Sequence, residues 1–290
     1  MKKLTSLLLA GVLVAGVLSG CGNTGGNSSS DSLSSQEPGS SGSSTEALSG
    51  KVSMSGSTSM EEIAKALAEG FNAKYPDVAI DVQLGGSSTG IKNAQEGVSD
   101  IGNVSRALKD TETGLDAETI ALDGIAVIVN TANSVEDLSI EQILKIYTGE
   151  ITNWKDLGGD DAEIQVVGRE AGSGTRDGFE SVVGIEDNAK HDQELTSTGA
   201  VQTAVASTPG AIGYVSLANV DDTVKALKVG GVSPAIETVQ DGSYTLQRPF
   251  VMVTKTGADL RPEVKAFLDF ALGDEGQSIV SQIGLVPLSK

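Results

Sequence analysis

The feature that most constrains the fold is the recurring order of a short apolar segment, a loop of Ser, Thr and Gly, and an amphipathic helix. The first example joins the apolar segment Val52–Met54 to the loop Gly56–Ser59, and the next helix carries Ile63, Leu67 and Phe71 on one stripe. Strands that alternate with helices in this way are typical of α/β folds, because the helices can cover the faces of the sheet. The sequence therefore predicts an α/β architecture whose sheets are largely parallel.

The same alternation continues to the end of the chain. Further predicted strands are short apolar runs, at residues 78–82, 101 onward, 125–129, 164–167 and 250–253. Further predicted helices show apolar residues at helical spacing or follow a Gly-rich loop, and they begin at Ile91, Ile140, Arg176 and Val264. The run Ile125–Val129 has no polar residue, which indicates a strand that is buried on both faces.

The N-terminus has the organisation of a secretory signal. Two lysines precede an apolar run, Leu7–Leu18, that is shorter than the roughly 20 residues a membrane-spanning helix needs. The residues Leu18-Ser19-Gly20-Cys21 resemble the bacterial lipobox, in which the cysteine is lipidated and becomes the mature N-terminus. A plain secretory signal with a chance cysteine is the alternative. We predict a signal peptide over 1–20, a palmitate-type lipid anchor on Cys21 and a flexible Ser/Gly linker over 21–49.

Composition argues against several classes of function. The chain has 20 Lys and Arg against 39 Asp and Glu, a formal net charge of −19, which argues against a nucleic-acid-binding protein. A single histidine, His191, and a single cysteine speak against a Cys/His zinc site, an intrachain disulfide and a histidine-based catalytic centre. His191 lies in a polar run and is expected at the surface. No cofactor and no metal are predicted.

Three loops share one design and are the best candidates for a binding site. Gly56–Ser59, Gly86–Thr89 and Gly172–Thr175 each follow a predicted strand and open a predicted helix. The first backbone N–H groups of a helix have no partner within the helix, and the helix dipole favours negative charge there. Glycine permits close approach to the main chain, and Ser and Thr hydroxyls add donors. Together the loops predict a site for a tetrahedral oxyanion, although each loop alone could be an ordinary helix cap.

Three arginines lie near these loops. Arg106 follows a short predicted strand, and Arg169 and Arg176 flank the third loop. A guanidinium group offers paired donors that match a tetrahedral oxyanion. The alternative is that these arginines pair with neighbouring acids, such as Glu170 or Asp177, on a solvated face.

Catalytic patterns fit poorly. The loop from Gly168 begins like a phosphate-binding loop of nucleotide-binding proteins, but Gly174 stands where the lysine should be. A serine hydrolase with Ser173 as the nucleophile is an alternative of another class, and it lacks a nearby histidine to activate the serine. A surface adhesin displayed on the Ser/Gly linker is a third class. We predict that the protein is not an enzyme.

From Gly56 to the C-terminus, the chain resembles the phosphate-binding proteins of bacterial phosphate ABC transporters, the PstS family in its Gram-positive lipoprotein form. The resemblance rests on motifs that occur in a fixed order: Gly56–Ser59, Gly86–Gly90, Asp100–Gly102 with Ser105-Arg106, Thr148–Trp154, Arg169–Arg176, Ala211–Tyr214 and Arg248–Phe250. It implies a two-lobed α/β fold, the type II periplasmic-binding-protein-like fold, with the ligand in the cleft between the lobes. The first lobe would comprise residues 50–130 and 240–290, and the second lobe residues 131–239.

The resemblance also implies a set of phosphate ligands. Matched position by position, they are Thr58, Ser59, Ser87, Arg169, Ser173, Gly174 and Thr175. Ser105 and Arg106 are added as candidates, because they stand where the best-known members place an aspartate that accepts the proton of hydrogen phosphate. Ala171 stands where many members carry a second aspartate, which pairs with the arginine. These departures leave open how the site would exclude sulfate.

The implied function is the capture of inorganic phosphate by a monomeric, lipid-anchored protein on the extracellular face of the cell membrane. The protein would deliver phosphate to the membrane permease of an ABC importer. Capture of another oxyanion on the same scaffold, such as sulfate, molybdate or tungstate, is the nearest alternative. No nucleic-acid partner is expected.

Overall fold

The computed structural model describes residues 48–186 and 188–288, and the first strand begins at Gly50, directly after the predicted linker over 21–49. The predicted signal peptide, Cys21 and most of the predicted linker lie outside the described residues. Within the described ranges, no helix combines the length and the apolar character that crossing a membrane requires.

Strands and α-helices alternate along most of the described chain. The strands are β1 Gly50–Gly56, β2 Val78–Leu84, β3 Ile101–Val104, β4 Leu115–Asn130, β5 Asp137–Leu138, β6 Gln165–Arg169, β7 Gln193–Leu195, β8 Ala211–Ser216, β9 Val224–Ala226, β10 Lys228–Val229 and β11 Gln247–Lys255. The α-helices are α1 Glu61–Lys74, α2 Ser87–Glu96, α3 Ile140–Tyr147, α4 Gly174–Val183, α5 Thr198–Ser207, α6 Ile236–Gln240, α7 Pro262–Leu272 and α8 Asp274–Gln282. Every strand and helix that the sequence predicts is present, and most ends differ by a few residues. The exception is β4, which begins ten residues before the predicted run Ile125–Val129.

The main sheet is mixed and not largely parallel, so that part of the sequence prediction is wrong. Its strand order is β2-β1-β3-β11-β4-β8-β6-β7, and β9 also pairs with β4. The outer pairs β1–β2, β1–β3, β6–β7 and β6–β8 are parallel. In the middle, β11 and β4 each run antiparallel to both of their neighbours in this order. Hydrophobic periodicity identifies a strand but carries no information about the direction of its neighbours.

The long strand β4 joins two separate hydrophobic cores. Its residues Ile120 and Ala121 belong to the first core, which also contains side chains of α1, α7 and α8. Further along the strand, Ile125, Val127 and Val129 belong to the second core, together with side chains of α3 and α4. One strand therefore passes from one lobe of the molecule into the other.

The chain crosses between the cores a second time near the start of β11. Leu246 belongs to the second core, and Phe250 belongs to the first. The first core is thus built from residues between 52 and 121 and between 250 and 285, whereas the second draws on residues between 125 and 246 and on Val286. The fold has two lobes that are connected by the antiparallel strands β4 and β11.

A close backbone approach at Gly56 brings together the loops that follow β1, β2 and β3. The carbonyl oxygen of Gly56 accepts hydrogen bonds from the N–H groups of Gly85 and Gly86, over 2.8 and 3.0 Å. The N–H of Ser57 donates to the carbonyl oxygen of Asn103 over 2.9 Å. Gly56 has φ +139, and a β-carbon at this position would collide with the same Asn103 oxygen. Only glycine combines this backbone conformation with so short an approach.

The one histidine of the chain is buried in the second lobe, which corrects the expectation that it lies at the surface. The His191 side chain is 1% exposed. Its ring lies against Gly168 and near Tyr147 and Tyr214, whose ring centroids are 6.0 and 6.5 Å away. Nδ1 lies 3.4 Å from Oε1 of Glu194. Burial lowers the pKa of His191 below its ordinary value, despite the opposing effect of Glu194.

We expect Gly56→Ala to destabilise the protein more than Gly97→Ala. Both glycines have positive φ, but a β-carbon at Gly97 meets no atom within 4 Å, whereas one at Gly56 meets the Asn103 carbonyl. Backbone strain of this kind costs about 1–3 kcal/mol, and Gly56→Ala adds a collision to it. Urea denaturation should show a larger loss of unfolding free energy for Gly56→Ala. Equal losses of unfolding free energy in the two variants would show that the loops can move apart without destabilising the protein.

The pKa of His191 predicts a loss of stability in mild acid. The unfolded chain binds a proton near pH 6.5, but the buried imidazole binds it only at lower pH. The unfolding free energy should therefore fall as the pH drops from about 6.5 toward the folded-state pKa. An NMR titration of the single imidazole gives that pKa, and urea denaturation of the wild type and His191→Phe at several pH values isolates its contribution. A measured pKa at or above 6.5 would contradict the burial effect.

Candidate functional site

Four helix N-termini bring buried hydroxyl side chains to one place. Three follow the predicted loops and belong to α2, to α4 and to α1 with the 3₁₀ turn Thr58–Met60 that precedes it. The fourth belongs to α5, whose N-cap is Ser197. We use the name hydroxyl cluster for the buried hydroxyl residues of these four termini and of the residue after β3: Ser57, Thr58, Ser59, Ser87, Ser105, Ser173, Thr175 and Thr198.

Hydrogen bonds tie together the cluster members of the first lobe. Ser57 Oγ donates to Ser105 Oγ over 2.8 Å and lies 3.0 Å from Ser59 Oγ. Ser87 Oγ accepts a hydrogen bond from the backbone N–H of Ser105 over 3.1 Å, and it lies 3.3 Å from Ser105 Oγ. The oxygen positions are thereby fixed, while each hydroxyl proton can still rotate toward a new acceptor.

The second lobe closes directly onto these hydroxyls. Thr58 Oγ1 lies 3.2 Å from Thr198 Oγ1 and accepts a hydrogen bond from the backbone N–H of Thr198, also over 3.2 Å. Gly174, the first residue of α4, lies so close to Ser87 and Ser105 that a β-carbon would collide with both hydroxyl oxygens. Glycine is therefore needed at position 174 because the helix start packs against the opposite lobe.

Several donors at the start of α4 have no partner within the helix. The N–H groups of Gly174 and Thr175 lie in the first turn, where no earlier turn of the helix can accept from them. Within residues 48–186 and 188–288, the buried Thr175 Oγ1 has no hydrogen-bond partner. Buried polar atoms are rarely left unpaired, so this hydroxyl points to a polar ligand. Ser173 Oγ acts as the N-cap and accepts from the N–H of Arg176 over 3.3 Å.

Arg169 reaches the cluster with one side of its guanidinium and holds a carboxylate with the other. Its Nε and Nη2 donate to the two carboxylate oxygens of Glu170 over 3.0 and 2.9 Å. Its Nη1 donates to Thr198 Oγ1 over 3.3 Å. The side chain is 2% exposed, which leaves Nη1 as a fixed donor inside the cluster. Glu170 supplies the acidic partner that the resemblance places at position 171, where this chain has alanine.

Arg106 is not brought into the hydroxyl cluster. Its Nη1 and Nη2 donate to the carboxylate of Glu112 over 2.7 and 2.8 Å, and its Nε donates to Asp177 Oδ2 over 2.7 Å. Burial acts to lower the pKa of Arg106, but Glu112 and Asp177 outweigh it and hold the pKa above its ordinary value. Because Asp177 lies on α4, this ion pair connects the two lobes. Lys109 Nζ lies 3.0 Å from the same Asp177 oxygen and extends the connection.

Arg176 also makes its contacts outside the cluster. Its Nε donates to Glu180 and one of its Nη1 protons to Glu194, each over 2.8 Å. Nη1 further donates to the carbonyl oxygen of Arg169 over 2.9 Å. Arg176 therefore supports the end of β6, from which the side chain of Arg169 projects.

A further arginine at the cluster was not among the candidates. Arg248, on β11, donates from Nη1 to Ser105 Oγ over 3.3 Å. Its Nε and Nη2 both donate to Asp123 Oδ2, over 3.0 and 2.9 Å. Burial lowers the pKa of the Arg248 guanidinium and raises that of the Asp123 carboxyl, while each charge opposes the change in the other.

The structure brings together most of the predicted site residues. Those that lie in the cluster or at its edge are Thr58, Ser59, Ser87, Ser105, Arg169, Ser173, Gly174 and Thr175. Thr198 was missed although Ser197-Thr198-Gly199 repeats the Ser/Thr/Gly loop design after a strand. Arg248 gave no local signal beyond its place in a motif of the resemblance. Which of these residues contact a ligand stays a prediction.

The chemistry of the cluster is that of hydrogen-bond donation. Both carboxylates beside it, Glu170 and Asp123, are held by arginines. In the part of the chain that the structure describes, no three His, Cys, Asp or Glu side chains are grouped so that they could hold a metal ion. Hydroxyls, first-turn N–H groups and one guanidinium edge suit a small anion with several acceptor oxygens.

Comparison with known proteins agrees with this geometry. Residues 40–275 match the family model of a PBP superfamily domain. The chain is 36% identical to the phosphate-binding protein PstS of Bacillus subtilis strain 168, over 99% of this chain and 94% of the relative. A solved structure of a putative phosphate ABC transporter substrate-binding protein with bound phosphate, from Clostridium perfringens, is 47% identical with a TM-score of 0.78, covering 83% of this chain and 100% of that one. An ABC-type phosphate transport receptor from Vibrio cholerae is 35% identical with a TM-score of 0.69, covering 82% and 100%.

These matches extend over both lobes of the described body. The predicted two-lobed fold of the periplasmic-binding-protein type is confirmed by the superfamily match and by the close similarity to the solved structures. The predicted family is confirmed by identity over nearly the full length of a relative. The chain belongs to the PstS family of phosphate-binding proteins, within the PBP superfamily.

Proposed function

We propose that this protein captures inorganic phosphate in the hydroxyl cluster and delivers it to the membrane permease of an ABC importer. The observation that carries the proposal is the convergence of four helix N-termini and the Nη1 edge of Arg169 on one buried set of hydroxyls. The name of the Bacillus subtilis relative and the phosphate bound in the Clostridium perfringens structure support phosphate as the ligand. The role is binding and release, without a chemical step.

The proposed ligands are contributed by both lobes. Thr58, Ser59, Ser87 and Ser105 are on the first lobe, and the second lobe contributes Arg169 and the start of α4 from Ser173 to Thr175. We propose lobe boundaries of 50–130 with 240–290, and 131–239, which the two hydrophobic cores support. A bound anion would then bridge the lobes and favour their closed arrangement. The Arg106–Asp177 ion pair would support the same closure.

We further propose that the protein is monomeric and works outside the cytoplasm, held on the membrane by a lipid on Cys21. The support is the sequence Leu18-Ser19-Gly20-Cys21 after a short apolar run, with the Ser/Gly stretch that follows. Two or more acyl chains give far firmer anchoring than one. The linker would let the phosphate-binding body reach the permease.

An anion panel tests the identity of the ligand. Thermal unfolding is measured with phosphate, arsenate, sulfate and molybdate at equal concentrations, because a ligand that binds only the folded state raises the melting temperature. Phosphate is expected to give the largest shift of the four. A larger shift with sulfate or molybdate would identify that oxyanion, and not phosphate, as the ligand. The absence of a shift with any of the four anions would favour the surface adhesin over an anion-binding protein.

Arg169→Ala should weaken phosphate binding by roughly 10²-fold or more. Hydrogen bonds to charged groups contribute about 1.5–3 kcal/mol, and each 1.4 kcal/mol is about tenfold in affinity. Thr58→Ala should reduce the phosphate affinity less than Arg169→Ala does, because the backbone N–H of residue 58 remains. Arg261→Ala is the matched control, since Arg261 is half-exposed and pairs with Asp100 away from the cluster. Calorimetry gives the affinities, and near-native binding by Arg169→Ala would remove this residue from the site.

Cys21→Ser should release the protein from the membrane, because this residue carries the proposed covalent attachment. The wild type and the variant are expressed in a Gram-positive host, and the membrane fractions are washed with high salt before immunoblotting. The wild type should stay in the membrane fraction, and the variant should appear in the medium. A variant that stays with the membrane after washing would show that another segment anchors the protein.

A further inference from the structure

Arg248 occupies a position between a buried carboxylate and the hydroxyl cluster. Its side chain is 2% exposed, and that of Asp123 is fully buried. Asp123 Oδ2 accepts from Nε and Nη2 of Arg248, and its Oδ1 accepts from Ser216 Oγ over 2.7 Å. The guanidinium also lies over the ring of Phe250, 5.2 Å from the centroid. These contacts fix its orientation, so that Nη1 is directed at Ser105.

The hydrogen bonds around Ser105 determine what its hydroxyl can offer. A hydroxyl oxygen has two lone pairs and one proton. Both lone pairs of Ser105 Oγ are occupied, one by the hydroxyl of Ser57 and the other by Nη1 of Arg248. Only the proton is left for another partner. Its nearest acceptor within the cluster is Ser87 Oγ, at 3.3 Å, which is longer than a usual hydroxyl hydrogen bond.

We propose that Arg248, with Asp123 as its counter-charge, is a positioning residue that makes Ser105 a hydrogen-bond donor toward the bound oxyanion. This inference rests on the proposed function and assigns the direction of one hydrogen bond, the one between Ser105 and the bound phosphate. The positive charge behind Ser105 also polarises its hydroxyl toward an anion in front of it. This corner of the site therefore receives an anion oxygen that accepts a hydrogen bond from Ser105.

The test is a double-mutant cycle between the ion pair and Ser105. The first variant, Arg248→Met with Asp123→Asn, removes both charges together, because removing one alone would leave an unpaired buried charge. The second variant is Ser105→Ala, and the third combines all three substitutions. Phosphate affinities come from calorimetry, and thermal unfolding without phosphate shows that each variant is folded.

Each of the first two variants should bind phosphate about tenfold or more weakly. If Arg248 acts through Ser105, the combined variant should lose little more phosphate affinity than whichever of the first two variants binds phosphate more weakly. Losses that multiply would overturn the proposal, because a purely structural ion pair acts independently of Ser105. The same cycle with Thr175→Ala in place of Ser105→Ala is the control, since Arg248 makes no hydrogen bond to Thr175 in the described structure. Its losses should multiply to within about twofold.

Arg248→Lys separates the effect of the positive charge from the effect of the forked shape of the guanidinium. Lysine keeps a charged donor beside Asp123 but lacks the fork that holds the carboxylate and the hydroxyl together. It should bind phosphate more tightly than the variant without the ion pair and less tightly than the wild type. Equal loss in both variants would show that the charge does not act on the site. Failure of the wild type itself to bind phosphate would refute the proposed function, an outcome distinct from multiplying losses in a protein that binds.

Discussion

Backbone N–H groups that no preceding helical turn can pair are the donors on which the proposed phosphate site depends. Four helices start around the hydroxyl cluster, and each brings such donors to the same small volume. Because these donors belong to the main chain, only the fold can bring them together. The antiparallel strands β4 and β11 do so by connecting the two lobes from which these helices come. Gly56 and Gly174 allow the final close approach of backbone to neighbouring groups.

The charges near the cluster nearly cancel, which reconciles the proposed anion site with a chain of net charge −19. Arg169 is paired with Glu170, and Arg248 is paired with Asp123. The arginines therefore supply direction and hydrogen bonds more than net positive charge. Helix dipoles and hydroxyl donors would favour a bound anion without a basic surface.

Local features of the fold and site could be predicted from the sequence, and pairing between distant segments could not. The loops with Thr58, Ser87 and Ser173 were recognised because a helix start needs those residue types locally. The ion pair of Arg106 with Asp177 and the carboxylate behind Arg248 depend on the mixed sheet, whose strand directions hydrophobic periodicity does not encode. The sequence predicts His191 at the surface because its neighbours in the sequence are polar. Their polarity carries no information about the ring of His191 itself, which packs inward.

The double crossing of the chain between its cores has a kinetic consequence. The first core contains Val52 and Met54 from the start of the body and Phe267 and Val280 from its end, and all of the second core except Val286 lies between them in the sequence. The ribosome synthesises a chain from its N-terminus. The apolar faces of β1 and α1 are therefore not fully covered until α7 and α8 have been synthesised. The second core can form earlier, because its residues are nearly contiguous. Contacts of such high sequence separation slow folding and leave the early segments exposed to aggregation or to a chaperone meanwhile.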